Sequence, residues 1–248
     1  MKLCMEWLAL KLSSGLRRAK CTHVTLPSGE AFRADAKADE GTVAIGGWET
    51  CITTDPMKAR WFAITLTEEN TPWLRCRGEP YQVIASLELL ATLYAVMAFW
   101  PAGSSQGGCM KMTGTALTDS RGNSYVVSKM MTTKFPLCAV LMELTEQLDL
   151  RGSWLQVSWT PRDQNAEADA LTNGHFHQFD PANRINMKPE DMSWVLLDEM
   201  LKAGGAMTDE LLALKAQRRA LRLRSKELKK QLKKKKLPSD SLKVRDPW

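Results

Sequence analysis

No two cysteines in this 248-residue chain stand at Cys-X-X-Cys spacing, although there are six: Cys4, Cys21, Cys51, Cys76, Cys109 and Cys138. None sits near a histidine at metal-ligand spacing, and only three histidines occur at all. That excludes a zinc finger and argues against a disulfide frame. The cysteines read as reduced thiols of a nuclear or cytoplasmic protein. No apolar run approaches about 20 residues, so no membrane span is expected. The opening MKLCMEWLALKLSSGLRRAK mixes charge into its apolar stretch and lacks a small-residue cleavage site, so no signal peptide is expected.

What is present is enough apolar material for a core, 44% of residues, and an uneven charge. The net charge is +6, but Lys215 to Lys236 holds 12 Lys/Arg against the single acid Glu227, which makes +11 there. Residues 237–248 balance, so residues 1–214 carry −5. A mildly acidic body with a cationic arm suits attraction to polyanions.

Residues 1–29 read as an amphipathic helix (Leu3, Trp7, Leu8, Leu10 and Leu16 on one side) and a linker. Three strand-like runs follow, Ala31–Ala36, Val43–Thr50 and Trp61–Leu66, separated by turns, which predicts an antiparallel meander. Tyr81 to Trp100 has a helical pattern ended by Pro101 and the Gly/Ser-rich 103–108. A strand over about 111–118 ends at Asp119, and two helical runs follow, the second being Leu137 to Leu148. Trp154–Trp159 is a fifth strand. Asp163 is a candidate N-cap for the helix Asn165–Leu171, which Asn173-Gly174 terminates. The order βββ-α-β-α-α-β-α predicts an α/β fold over residues 30–174, a mixed sheet flanked by helices. Residues 175–207 read as a linker with a short helix, Trp194–Lys202, stopped by Gly204-Gly205. Residues 208–248 read as a basic helical tail, with Leu214, Leu221 and Leu228 at heptad spacing and a four-lysine block at 233–236. His175 and His177 read as solvated rather than as ligands.

Four acids stand out. Asp35 lies inside a strand, where a carboxylate is unfavourable unless exposed or functional. Glu88 shares a helix stripe with Ile84, Ala91 and Ala95 that is expected to pack on the sheet, so it needs a partner. Asp119 stands at the carboxyl end of a strand, where open α/β sheets bind ligands, and is also an apt helix N-cap. Asp169 is on the last core helix, four residues from Asn165. Clustered Asp/Glu, with no His or Cys, is the donor set that hard divalent ions take in two-metal phosphodiester cleavage.

The segments Phe32-Arg33-Ala34-Asp35-Ala36 with Gly46-Gly47-Trp48, Ile84–Ala91 around Glu88, Leu117-Thr118-Asp119-Ser120 and Asn165–Leu171 together resemble ribonuclease H domains, especially those linked to reverse transcriptases of retroelements. The resemblance covers about residues 30–173. It implies a ribonuclease H-like mixed five-stranded sheet, three antiparallel strands and then parallel ones, and a hydrolase cutting the RNA strand of RNA–DNA hybrids. It implies two Mg²⁺ or Mn²⁺ ions, with Asp35 and Asp119 as bridging ligands, Glu88 near the ribose 2′-hydroxyl, and Asp169 completing the second ion. Asn123 and Asn165 become candidate hybrid contacts, and Lys37, Arg162, Lys233 and Lys234 candidate contacts to the nucleic acid. Lys37 replaces the small hydroxyl residue frequent in the family. The loop Thr160–Gln164 lacks the histidine that many cellular members carry, and their basic helical protrusion is missing. No aspartate-pair polymerase motif occurs, so a reverse transcriptase would be a separate module, with the N-terminal helix as the remnant of a connection. Two alternatives remain from other classes: a non-catalytic nucleic-acid-binding module, and a nuclease of integrase or resolvase type acting on DNA.

Overall fold

Alternation along the first strand decides the architecture. In β1 (Glu30–Asp39), Phe32, Ala34 and Ala36 point into the main apolar core, while Arg33, Asp35 and Lys37 take the opposite face. β1 is flanked on both sides, antiparallel to β2 (Thr42–Glu49) and parallel to β4 (Met112–Thr118). β3 (Trp61–Leu66) and β5 (Ser153–Trp159) form the edges, giving the order β3-β2-β1-β4-β5. The expected ribonuclease H-like sheet, three antiparallel strands and then parallel ones, is therefore the one formed. The computed structural model describes residues 2–13, 29–39, 42–76, 78–100 and 112–234; the Gly/Ser-rich 103–108 and Lys235-Lys236 fall outside them. The chain divides into two compact units, Met1–Gly204 and Gly205–Trp248.

The sequence expects a single inward stripe on the helix after β3. Instead α2 (Ile84–Phe99) is buried nearly all round, packed on β1, β2 and the later helix α4 (Leu137–Leu150). The stretch Pro80–Phe99 is long and apolar enough to cross a membrane by length and hydropathy alone, contrary to the expectation of no such run, but most of it is core here. The opposite face of the sheet has its own small core of Trp48, Trp61, Ala168, Leu171 and Phe179. Its cover is α5 (Ala166–Thr172), which settles on β2 because Gly46 has no side chain. A Cβ there would stand 2.9 Å from Leu171 Cβ. We expect Gly46→Val to destabilise the fold by about 1–3 kcal/mol through overpacking. It should also lower any activity more than the stability loss explains, since α5 carries Asp169; urea unfolding beside activity at matched folded fraction measures both.

Several expectations are corrected. The N-terminal helix α1 (Lys2–Ser13) keeps Leu8 and Leu10 exposed, and Trp7 docks it by donating to Glu146 Oε1 at 2.9 Å; Leu16 lies outside the described residues. Residues 175–196 are not a free linker. Phe176 and Phe179 stack against Trp61, Ile185 N–H donates to the Trp61 carbonyl at 2.8 Å, and Trp194 meets Tyr94 edge-on. Nor do Gly204-Gly205 stop a helix, because α6 (Leu197–Lys234) is continuous. Glycine costs a helix only about 1 kcal/mol, and at Gly204 a Cβ would lie 2.1 Å from the Phe135 ring. The helix needs a glycine to pass that ring. The heptad leucines Leu214, Leu221 and Leu228 are exposed.

α6 starts where it does because of a buried acid. Glu143, on α4 and fully buried, accepts from the backbone N–H groups of Val195, Leu196 and Leu197 at 3.1, 2.7 and 2.9 Å and from Gln147 Nε2 at 2.7 Å. A carboxylate at a helix N-terminus satisfies orphan donors and opposes the dipole. Glu143→Ala leaves those donors unpaired, the Leu197 N–H in a buried position, and we expect it to cost about 2–3 kcal/mol, read as a lowered urea midpoint.

Candidate active site

Parallel strands bring the first two acids level. The β1–β4 register runs through Arg33↔Leu117, so Asp35, two residues on, lies level with Asp119 just past the end of β4. Asp35 is 7% exposed, and the Thr172 hydroxyl on α5 donates to its Oδ2 at 3.1 Å. Burial pushes the Asp35 carboxyl from an ordinary 3.8 up to about 7, and the Asp119 and Asp169 charges push the same way. Glu88, on the first turns of α2, is half-buried. Burial raises its carboxyl from 4.5 to about 7; the Ser120 hydroxyl bonded to it opposes the rise, and Asp119 and Asp35 reinforce it.

The sequence leaves Asp119 two readings, ligand or helix cap. The cap of α3 (Arg121–Lys129) is Ser120, whose side chain accepts from Asn123 N–H. Asp119 engages the protein through its backbone carbonyl, which accepts from Trp159 Nε1 at 3.0 Å. Its carboxylate is half-buried and not spent on capping. Asp163 is no cap either: it lies within a 3-10 turn, Arg162–Asn165, that precedes α5.

Asp169 has both oxygens engaged, Oδ1 by Arg162 Nη2 at 2.7 Å and Oδ2 by Asn173 Nδ2 at 2.9 Å. Lys37 reaches this acid only through Asn173, donating to Asn173 Oδ1 at 2.9 Å, and it also faces Asp39 at 3.6 Å.

The four acids thus come from β1, α2, the end of β4 and α5, and they feel one another's charge. Among the described residues, no three His, Cys, Asp or Glu side chains stand as a finished metal cage. The set fits a hard divalent ion in other respects. Every donor is a carboxylate oxygen, and two of the four are pushed up to about 7 by burial and mutual repulsion, an excess of negative charge that a cation would relieve.

The solved structures it resembles are ribonuclease H domains. Ribonuclease H1 of the archaeon Halobacterium salinarum matches at 20% identity and a TM-score of 0.37, covering 60% of this chain and 98% of that one. LC11 ribonuclease H1, solved in complex with an RNA/DNA hybrid, matches at 18% identity and a TM-score of 0.43, covering 58% and 93%. The N-terminal ribonuclease H domain of a Mycobacterium tuberculosis protein, solved as a fusion with maltose-binding protein, matches at 18% and 0.38, covering 58% and 90%. No known protein-family profile matches the chain, and no curated protein matches it in sequence.

Two of the expected hybrid contacts are turned inward. Asn123 and Asn165 are each 1% exposed. Asn123 instead holds Glu88, donating from Nδ2 to Glu88 Oε2 at 3.1 Å and to the Ala85 carbonyl at 2.9 Å. Arg162 is ion-paired with Asp169 and otherwise exposed. Lys233 and Lys234 lie at the end of α6, where only the backbone is described. His175 and His177 are exposed, as expected.

Sequence reading missed Ser120, Thr172 and Asn173. The available signals were Ser as a preferred N-cap before a helix, and residues three and four beyond Asp169 on the same helix face. It also missed the Trp159 ring, which carries the Arg121 guanidinium 4.0 Å from its centroid and leaves an exposed flat cationic surface beside Asp119.

Proposed function

We propose that this chain is a metal-dependent endonuclease of the retroelement ribonuclease H type, cutting the RNA strand of RNA–DNA hybrids. The observation that carries the reading is the gathering of Asp35, Glu88, Asp119 and Asp169, from four separate elements, into one electrostatically coupled group. Asp35, Glu88, Asp119 and Asp169 would together hold two Mg²⁺ or Mn²⁺ ions through their carboxylate oxygens. Bound there, such ions supply a hydroxide-like water and neutralise charge on the leaving oxygen.

The chain's own residues do the rest. Ser120 and Asn123 hold Glu88 in one orientation, available to the ribose 2′-hydroxyl that separates RNA from DNA. Thr172 fixes Asp35. The Arg121–Trp159 pair offers a cationic plane to sugar or phosphate. Lys37, Arg162, Lys233 and Lys234 are the candidate phosphate contacts, and binding through them is salt-sensitive. A reverse transcriptase module is the expected partner, and the nucleus or cytoplasm the expected location.

A second reading, a non-catalytic nucleic-acid-binding module, is favoured by the Arg162 pair, which neutralises Asp169. A hybrid labelled on its RNA strand, with duplex DNA and a junction in parallel, separates the readings in Mg²⁺, Mn²⁺ or EDTA. Ion-dependent RNA cleavage supports the proposal. Binding without cleavage supports the module, and cleavage of DNA alone points to an integrase-type nuclease.

A further inference from the structure

Arg162 belongs to the acid cluster as much as the acids do. Its Nη2 lies 2.7 Å from Asp169 Oδ1, and its side chain is 77% exposed against 32% for Asp169, so the guanidinium is on the solvent side of the pair. Asp35 and Asp119 stabilise its charge, and it stabilises ionised Glu88, so all four acids feel this cation. Asn173 occupies the other oxygen of Asp169 and is itself tied to Lys37.

The geometry points to Arg162 as a built-in competitor for the metal, holding Asp169 when no divalent ion is bound and leaving it when one is. The inference rests on the reading of the four acids as a metal site. An exposed ion pair is weak and exchanges readily. A divalent ion taking Asp169 would set two further positive charges beside the guanidinium, and at such distances like charges in a half-buried site repel strongly. Once displaced, the guanidinium stays anchored at the rim of the site by the short turn that carries it. Its planar fork matches phosphate oxygens, so a nucleic-acid backbone is the natural second partner. Metal loading and backbone engagement are then linked. Each frees or occupies the same side chain, and such coupling acts equally in both directions.

The test is calorimetric titration of Mn²⁺ into the metal-free 248-residue chain without nucleic acid. Wild type is compared with Arg162→Gln, Arg162→Lys and Lys37→Gln. Removing the competitor should tighten Mn²⁺ binding about three- to tenfold for Arg162→Gln. Arg162→Lys should fall between, and Lys37→Gln, which removes a charge without touching Asp169, should change affinity less than about twofold. On a labelled hybrid, Arg162→Gln should lower the Mg²⁺ needed for half-maximal cleavage while raising KM. Equal or weaker Mn²⁺ binding in Arg162→Gln overturns the competitor role and leaves the metal site standing, as does an equal gain in Lys37→Gln. Absence of Mn²⁺ binding in every variant overturns both. Exposure of Arg162 keeps these variants folded, and thermal melts in EDTA check that.

Discussion

Asp119→Asn is expected to leave the fold intact and to reduce hybrid cleavage about a thousandfold or more. That loss corresponds to about 4 kcal/mol of transition-state stabilisation. The expectation has two parts. The fold survives because the cap of α3 is Ser120 and the tie to Trp159 uses the Asp119 backbone carbonyl, so the carboxylate holds nothing structural together. Activity falls because, on the proposed function, the Asp119 carboxylate, whose charge acts on both Asp35 and Glu88, would be one of the residues holding the ions. The measurement is single-turnover cleavage in Mg²⁺ and Mn²⁺ beside a circular dichroism melt. A variant that melts like wild type and still cuts would end the two-metal reading. One that fails to fold would mean the carboxylate has a structural task its surroundings do not reveal.

The second large effect concerns stability rather than rate. In the metal-free protein the folded state holds Asp35 and Glu88 with carboxyls at about 7, against ordinary values of 3.8 and 4.5. Between about pH 4 and 7 the native chain therefore binds protons that the unfolded chain has released. Stability falls wherever the native state holds more protons as pH rises, so the protonated pair is fully favourable below the unfolded values and lost as pH climbs through about 7. A tenfold gain in proton affinity on folding is worth about 1.4 kcal/mol, and the two acids share part of their repulsion, so the combined effect is on the order of 2–4 kcal/mol. In EDTA, urea unfolding should show greater stability at pH 5.5 than at pH 8. Asp35→Asn, which removes the buried charge, should raise stability at pH 8 by about 2 kcal/mol and flatten the slope. Saturating Mn²⁺ should give wild type much of the same gain at pH 8 and give Asp35→Asn less. Stability that rises from pH 5.5 to 8 in EDTA, or an Asn variant weaker than wild type, would contradict the burial of this acid.

Both effects arise in one acid cluster, and the sequence makes its surroundings legible to different degrees. The strands are legible because alternation has a period of two: β3 spans Trp61–Leu66 as the pattern predicts, and β5 begins one residue early. Helix ends are less legible, since α6 runs through Gly204-Gly205, where a neighbouring ring rather than a breaker explains the glycine. The segment at 175–196 reads as linker because aromatic residues without periodicity carry no signal of what they cover. Its partners, Trp61 and Tyr94, are more than 90 residues away in the chain.

By itself the sequence determined the element order, the sheet class and the four acids as the residues to examine. These follow from local rules: side-chain period, turn residues, and the cost of a carboxylate inside an apolar element. Only the tertiary structure decided what surrounds each acid. It assigned the cap to Ser120, turned Asn123 inward onto Glu88, brought Thr172 to Asp35, and gave Asp169 to Arg162 and Asn173. The reason is physical. A backbone preference is a property of a few neighbouring residues. A hydrogen bond or a desolvated charge depends on which side chain the packing of distant elements sets beside it.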